Sequence, residues 1–133
     1  MKVHGRCHCG ELTYEADVDP AHVSICHCTD CQILTGTAYR VSVPAKAADF
    51  HILSGVPKIY VKTAESGNPR AQAFCGTCGT PIYASDVTQP AVFNLRTGPI
   101  AECAQLKPVR QIWCRSALGW VQNLGGIEPR EKS

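Results

Sequence analysis

Phe74-Cys75-Gly76-Thr77-Cys78-Gly79-Thr80-Pro81 is the stretch on which the fold turns. Two residues separate the thiols, and the glycines give the backbone freedom for a tight turn that aims both sulfurs at one point. Phe74 precedes this knuckle and Thr80-Pro81-Ile82-Tyr83 follows it, so strands flank it on both sides. A redox dithiol of the same spacing belongs in a βαβ setting, and no such pattern surrounds this one. A knuckle supplies two thiolates, whereas a closed structural zinc site needs four ligands. Two further clusters compete to supply the other pair: Cys7-His8-Cys9-Gly10 and Cys26-His27-Cys28-Thr29-Asp30-Cys31. One arrangement satisfies all seven thiols. Cys7 and Cys9 join Cys75 and Cys78 around one structural zinc, and Cys26, Cys28 and Cys31 hold a second metal by themselves.

Composition supports metal over disulfides. The 133 residues contain nine cysteines, an odd number, and seven of them fall in the three tight clusters. Disulfide frameworks are spread more evenly and belong to oxidising compartments. Met1-Lys2-Val3-His4-Gly5 leads straight into a cysteine motif with no apolar stretch of signal length, and no segment is apolar enough for a bilayer. The expectation is a cytoplasmic protein with no membrane partner. A formal charge of +2 with scattered Lys and Arg also argues against a nucleic-acid partner. Hydrophobic residues at 44% and charged residues at 18% are enough for one small core.

Working outward from the knuckle, short runs rich in Val, Ile, Thr, Tyr and Phe alternate with Gly and Pro. They predict an all-β, mainly antiparallel fold with strands near 2–7, 11–17, 22–26, 38–44, 50–54, 58–63, 70–75, 80–85, 92–97 and 109–114. Residues 29–36 suit one or two helical turns, capped by Thr29 or Asp30 and ended by Gly36. Residues 44–49 suit a further turn, and Glu65-Ser66-Gly67-Asn68-Pro69 a hairpin tip. A zinc-binding domain is expected over 1–124, with a loose tail over 125–133.

Three thiolates within six residues leave a fourth metal position open for water or substrate. Such a zinc is electron-rich, activates water poorly, and suits an incoming thiol, which loses its proton on binding. This points to thiol chemistry rather than hydrolysis, with attack on an electrophilic carbon such as an aldehyde. The trio is accordingly expected to be more accessible than the closed set. His27 is an alternative fourth ligand, but a side chain between two converging neighbours usually points away. His8 has the same geometry beside a closed site. Cys114, in the apolar run Ile112-Trp113-Cys114, reads as a packed thiol, and Cys103 has no assigned role.

The motifs resemble those of a known family. Gly5-Arg6-Cys7-His8-Cys9-Gly10 with Tyr14, then Cys26-His27-Cys28-Thr29-Asp30-Cys31 with Gly36, then Arg70 through Phe74-Cys75-Gly76-Thr77-Cys78-Gly79-Thr80-Pro81, match the order and spacing of the glutathione-dependent formaldehyde-activating (GFA, or CENP-V-type) family. Gly98 and Pro108…Ile112-Trp113…Trp120 resemble its C-terminal pattern. The resemblance implies a β-tent fold, a structural zinc on Cys7, Cys9, Cys75 and Cys78, and a catalytic zinc on Cys26, Cys28 and Cys31. It also implies a carbon–sulfur lyase that joins glutathione and formaldehyde into S-(hydroxymethyl)glutathione. Two departures stand outside the metal motifs. Gln111 occupies a position where many relatives carry His, and Pro99-Ile100 replaces a common Leu-Asp pair.

Three functions compete: an enzyme acting on the adduct of a small thiol and an aldehyde, a non-catalytic zinc module that binds a partner protein, and a thiol or zinc sensor. The open trio favours the first and third. An acidic thiol such as glutathione requires basic contacts, for which Arg40, Lys58, Lys62, Arg70, Arg96, Arg110 and Arg115 are available.

Overall fold

A computed structural model describes residues 1–133. All ten expected strands are present. β1 (Lys2–Arg6), β2 (Thr13–Asp17) and β5 (Phe50–Ser54) form a three-stranded antiparallel sheet in the order β1-β2-β5. The other seven form a second sheet in the order β10-β3-β4-β9-β8-β7-β6: β3 (Ser24–Cys26), β4 (Arg40–Lys46), β6 (Lys58–Thr63), β7 (Pro69–Phe74), β8 (Pro81–Asp86), β9 (Val92–Arg96) and β10 (Arg110–Ile112). Every pairing is antiparallel except β10 with β3. That exception places Gln111 and Ile112 beside Ile25 and Cys26. The long connection after β9 permits it, because a parallel partner needs a crossover rather than a tight turn.

The alternation along β1 and β2 buries Val3, Tyr14 and Ala16 while their neighbours face water. Phe50 carries the contact between the two sheets. Its ring stands 5.5 Å from Tyr14 on one side, and 5.5 Å and 4.8 Å from Tyr83 and Phe93 of the larger sheet on the other. Val43, Leu95 and Ile100 complete a core that is almost wholly buried. Tyr14 is accommodated because its cross-strand partner is Gly5. A Cβ there would lie 1.9 Å from the tyrosine ring, so the glycine is required by close approach rather than by its dihedral angles.

The single helix, α1 (Thr29–Thr35), ends at Gly36 as expected, with Gly36 left-handed at φ 67°. Its N-cap differs from the sequence expectation. Neither Thr29 nor Asp30 caps it; the Cys28 sulfur does, accepting the Cys31 backbone N–H at 3.3 Å. The sulfur takes the place of the usual side-chain oxygen at a helix start, so the cap and the cysteine cluster are one structure. The 44–49 turn is shorter than expected, since β4 runs on to Lys46 and a 3-10 turn occupies Ala47–Asp49. Residues 64–68 close the β6–β7 hairpin through Ala64 N–H to Asn68 O and Gly67 N–H to Ala64 O, both 2.8 Å. Residues 122–133 are exposed throughout. No helix is long and apolar enough to cross a membrane.

Candidate functional site

Two groups of sulfurs form where strands end. The β1–β2 turn presents Cys7 and Cys9; the β7–β8 turn presents Cys75 and Cys78. All four Sγ atoms lie within 4.8 Å of one another. Cys7 and Cys9 are 3.6 Å apart, and Cys9 and Cys75 3.8 Å. Four sulfurs placed tetrahedrally at about 2.3 Å from a zinc ion stand about 3.8 Å apart. The donor set and its spacing therefore fit a tetrahedral metal ion.

Polar groups around the cluster orient the sulfurs. The Leu12 N–H donates to Cys7 at 3.2 Å, and the Thr80 hydroxyl lies 3.2 Å from Cys78 while accepting the His8 N–H at 3.0 Å. Glu11 accepts from the Thr77 hydroxyl and so ties the two turns together. The resulting charge is uneven. The Thr80 hydroxyl, aided by backbone N–H groups of Cys9 and Thr80, draws Cys78 down to about 5. A backbone bond from Glu11 lowers Cys9, but desolvation and the neighbouring sulfurs outweigh it and push that thiol up to about 12. Burial raises Cys7, yet the Leu12 N–H and the adjacent thiols bring it down overall.

The second group is Cys26 at the end of β3, Cys28 at the cap of α1 and Cys31 in its first turn, again within 4.8 Å of one another. All three are half-buried. The Cys26 thiol draws Cys31 down to about 5 against burial, helped by Cys28 and by the charges of Arg40 and Arg96. Cys26 is raised in exchange, chiefly by Cys31 and by burial.

Strand register explains which basic residues meet this trio. Cys26 pairs with Arg40, Ser42 with Arg96, Gln72 with Ala84 and Lys62 with Arg70. Directly opposed residues share a face, as do residues two apart on one strand. One face of the larger sheet thus carries Cys26, Arg40, Ser42, Arg96, Gln72, Arg70 and Lys62, while the other packs on Phe50. These residues line a cavity of about 320 Å³ that Cys28, Cys31 and Trp113 also border. Of the seven basic candidates, Arg40, Lys62, Arg70 and Arg96 line it; Lys58, Arg110 and Arg115 do not.

Two of the four cations are neutralised, since Lys62 pairs with Asp30 at 2.8 Å and Arg70 with Asp86 at 2.7 Å. Arg40 and Arg96 are buried, at 6% and 8% exposure. Arg96 donates to Ser42 at 2.8 Å and to Gln72 at 3.0 Å. Burial, then the Arg40 charge, push its guanidinium down to about 9, so it remains a cation at neutral pH.

His27 is almost fully buried and outside both sulfur groups; its Nε2 lies 2.7 Å from the Gln111 oxygen. Gln111, arriving on β10, thus helps to hold the loop of the trio. Gln32 adds to that hold by donating to the carbonyls of His27 and Ser116, each at 2.9 Å. His8 also stays outside the sulfur groups.

Two expectations need correction. Cys114 is exposed, because the chain leaves β10 at Ile112 and Trp113 turns it outward in a left-handed conformation at φ 56°. The closed set is not uniformly less accessible than the trio: Cys7 and Cys75 are buried, but Cys9 is exposed. A C-x-C turn on the surface can point only part of itself inward. Cys103 is also exposed.

The sequence model of the glutathione-dependent formaldehyde-activating enzyme family matches residues 2–116, a span that includes both sulfur groups. The chain belongs to that family. The family match accords with a small-thiol and formaldehyde-related activity, and the two cysteine groups suit bound metal. A crystal structure of a Rhodobacter sphaeroides protein, solved as a structural genomics target, superposes with a TM-score of 0.62 at 20% identity. The likeness covers 84% of this chain and 99% of that one, and at this identity it speaks to the fold.

Proposed function

We propose that the protein is a zinc-dependent carbon–sulfur lyase that makes or breaks the adduct between a small thiol, glutathione foremost, and an aldehyde such as formaldehyde. Cys7, Cys9, Cys75 and Cys78 hold a structural zinc, and Cys26, Cys28 and Cys31 hold a second one at the reacting centre. The observation that carries this reading is the trio itself: three converging, half-buried sulfurs bordering a cavity walled by cationic side chains. When bound there, zinc supplies the Lewis acidity that keeps a neighbouring thiol in its thiolate form at neutral pH.

The chain's own residues do the rest. The Cys31 N–H bond to the Cys28 sulfur and the Gln111–His27 contact fix the loop that carries all three sulfurs. Arg40 and Arg96 favour negative charge at the trio, and so favour thiolate over thiol. The cavity holds thiol and carbonyl compound together, which turns a two-body encounter into a local step. In that step the sulfur lone pair forms the C–S bond, the carbonyl π pair moves to oxygen, and the oxygen takes up the proton released by the thiol. No oxidant or reductant is consumed. The reverse sequence releases aldehyde and thiol.

The test is exchange NMR of adduct formation and breakdown, comparing wild type with Cys28→Ser at several substrate concentrations. The expected result is catalysed exchange in wild type that falls to the uncatalysed rate in the variant. Equal rates, with wild type retaining both metals, would rule out formaldehyde activation.

A further inference from the structure

Arg40 and Arg96 pose a problem that the protein's own side chains do not resolve. Both residues are more than nine-tenths buried. None of the seven ion pairs of the protein includes either of them. The Nε of each is buried with no acceptor. Arg96 spends its other nitrogens on neutral oxygens of Ser42 and Gln72. Two like charges desolvated side by side without a carboxylate are costly, and proteins seldom keep them without an anion to receive. Lys62 and Arg70 on the same face are each paired, so a general shortage of acidic residues is not the cause.

Charge at the trio leaves room for that anion. Three thiolates on one divalent zinc leave a single negative charge, whereas the two guanidiniums bring two positive ones. Before a substrate thiolate joins the metal, one positive charge stays uncompensated beside the 320 Å³ cavity. Its position is set by register: Arg40 lies directly across from Cys26, and Arg96 directly across from Ser42, two residues further along the same strand. A group held by the pair is therefore only a few bonds from a sulfur or carbonyl at the trio. Planar guanidiniums match planar carboxylates. The cavity is at the small end for a ligand pocket, which favours a compact molecule. Formaldehyde is neutral and gives the pair nothing to hold.

We infer that Arg40 and Arg96 form a buried carboxylate subsite, and that the substrate of the trio is a compact acid bearing its thiol or carbonyl group a few bonds from the carboxylate. This rests on the thiol–carbonyl reading of the trio. The carboxylate arrives either with the thiol or with the carbonyl compound.

The test is isothermal titration of the zinc-loaded protein with two acid–amide pairs: 3-mercaptopropionate against 3-mercaptopropionamide, and glyoxylate against glyoxylamide. At least one acid is expected to bind about tenfold or more tighter than its amide, the scale of a buried charge-assisted hydrogen-bond pair. The pair that shows the preference identifies whether thiol or carbonyl carries the charge. Arg40→Gln and Arg96→Gln should each bring the acid-to-amide ratio toward one. No preference for either acid in wild type, which requires no variant to fold, overturns the inference. A preference that survives both substitutions overturns it equally. Adduct exchange measured alongside separates the two readings. Acid preference without turnover keeps the subsite and removes the lyase; turnover that is equal on acids and amides does the reverse.

Discussion

Replacing Cys75 with Ser tests what holds the two sheets together. Cys75 belongs to the β7–β8 turn of the larger sheet, and its sulfur lies 3.8 Å from Cys9 of the smaller one, 66 residues away. A tie across 66 residues, treated as a covalent cross-link, removes about 4 kcal/mol of unfolded-chain entropy. That is a floor. Structural zinc contributes about 10–16 kcal/mol in peptides that fold around it, and the near-tetrahedral spacing here shows that little would be spent on rearrangement. A domain's whole stability is about 5–15 kcal/mol, so the loss ranges from severe to complete. At about 3 °C or more per kcal/mol, the floor alone lowers Tm by about 12 °C. Differential scanning calorimetry with zinc determination by plasma emission reads both quantities. Wild type should bind two zinc ions and Cys75→Ser one at most, with a Tm lower by at least that amount or no cooperative transition. Cys103→Ser, at an exposed position outside both sulfur groups, is the control and should match wild type. Unchanged Tm and zinc content in Cys75→Ser would refute the reasoning.

Two further outcomes bear on the scaffold that positions the turns. Gly5→Ala puts a Cβ 1.9 Å from the ring of Tyr14, which is buried and has no space to retreat, so denaturant unfolding should show a loss of about 3 kcal/mol or more; a change under about 0.5 kcal/mol contradicts that packing. Glu102 accepts from His4 Nδ1 at 2.7 Å and from the His4 N–H at 2.9 Å, which together hold its carboxyl below the ordinary value. A lowered carboxyl contributes stability that is present above its unfolded pKa and is lost as pH falls through the folded value. Stability should therefore decline below about pH 4 in wild type, and Glu102→Gln should flatten that part of the acid limb, leaving its slope unchanged only if the contact is absent in solution.

Much of this protein was legible in its sequence, for reasons local to the chain. Alternation of period two marks a strand wherever one face is buried, so Lys2–Arg6 and Thr13–Asp17 announce themselves, and all ten strands were found by such patterns and by the Gly and Pro between them. A C-x-x-C or C-x-C turn specifies its own geometry within a few residues, and the count of four ligands per closed site made Cys7, Cys9, Cys75 and Cys78 a set before any distance was known. Their convergence within 4.8 Å accords with that count. The trio was equally readable, since its three thiols lie within six residues.

Other features were decided only by tertiary structure. Nothing in seven scattered basic residues distinguishes Arg40 and Arg96; burial and register do, because a strand pairing 14 residues apart in the chain (Cys26 with Arg40) places a charge beside a sulfur. The parallel β10–β3 pair brings Gln111 onto His27 from 84 residues away, which no local pattern encodes. Cys114 sits in an apolar run that reads as buried, yet the turn at Trp113 leaves it in water. Local periodicity and turn chemistry follow from neighbouring residues alone. Which charges are left without a partner depends on every strand that packs around them, and so it emerges only when the sheet is assembled.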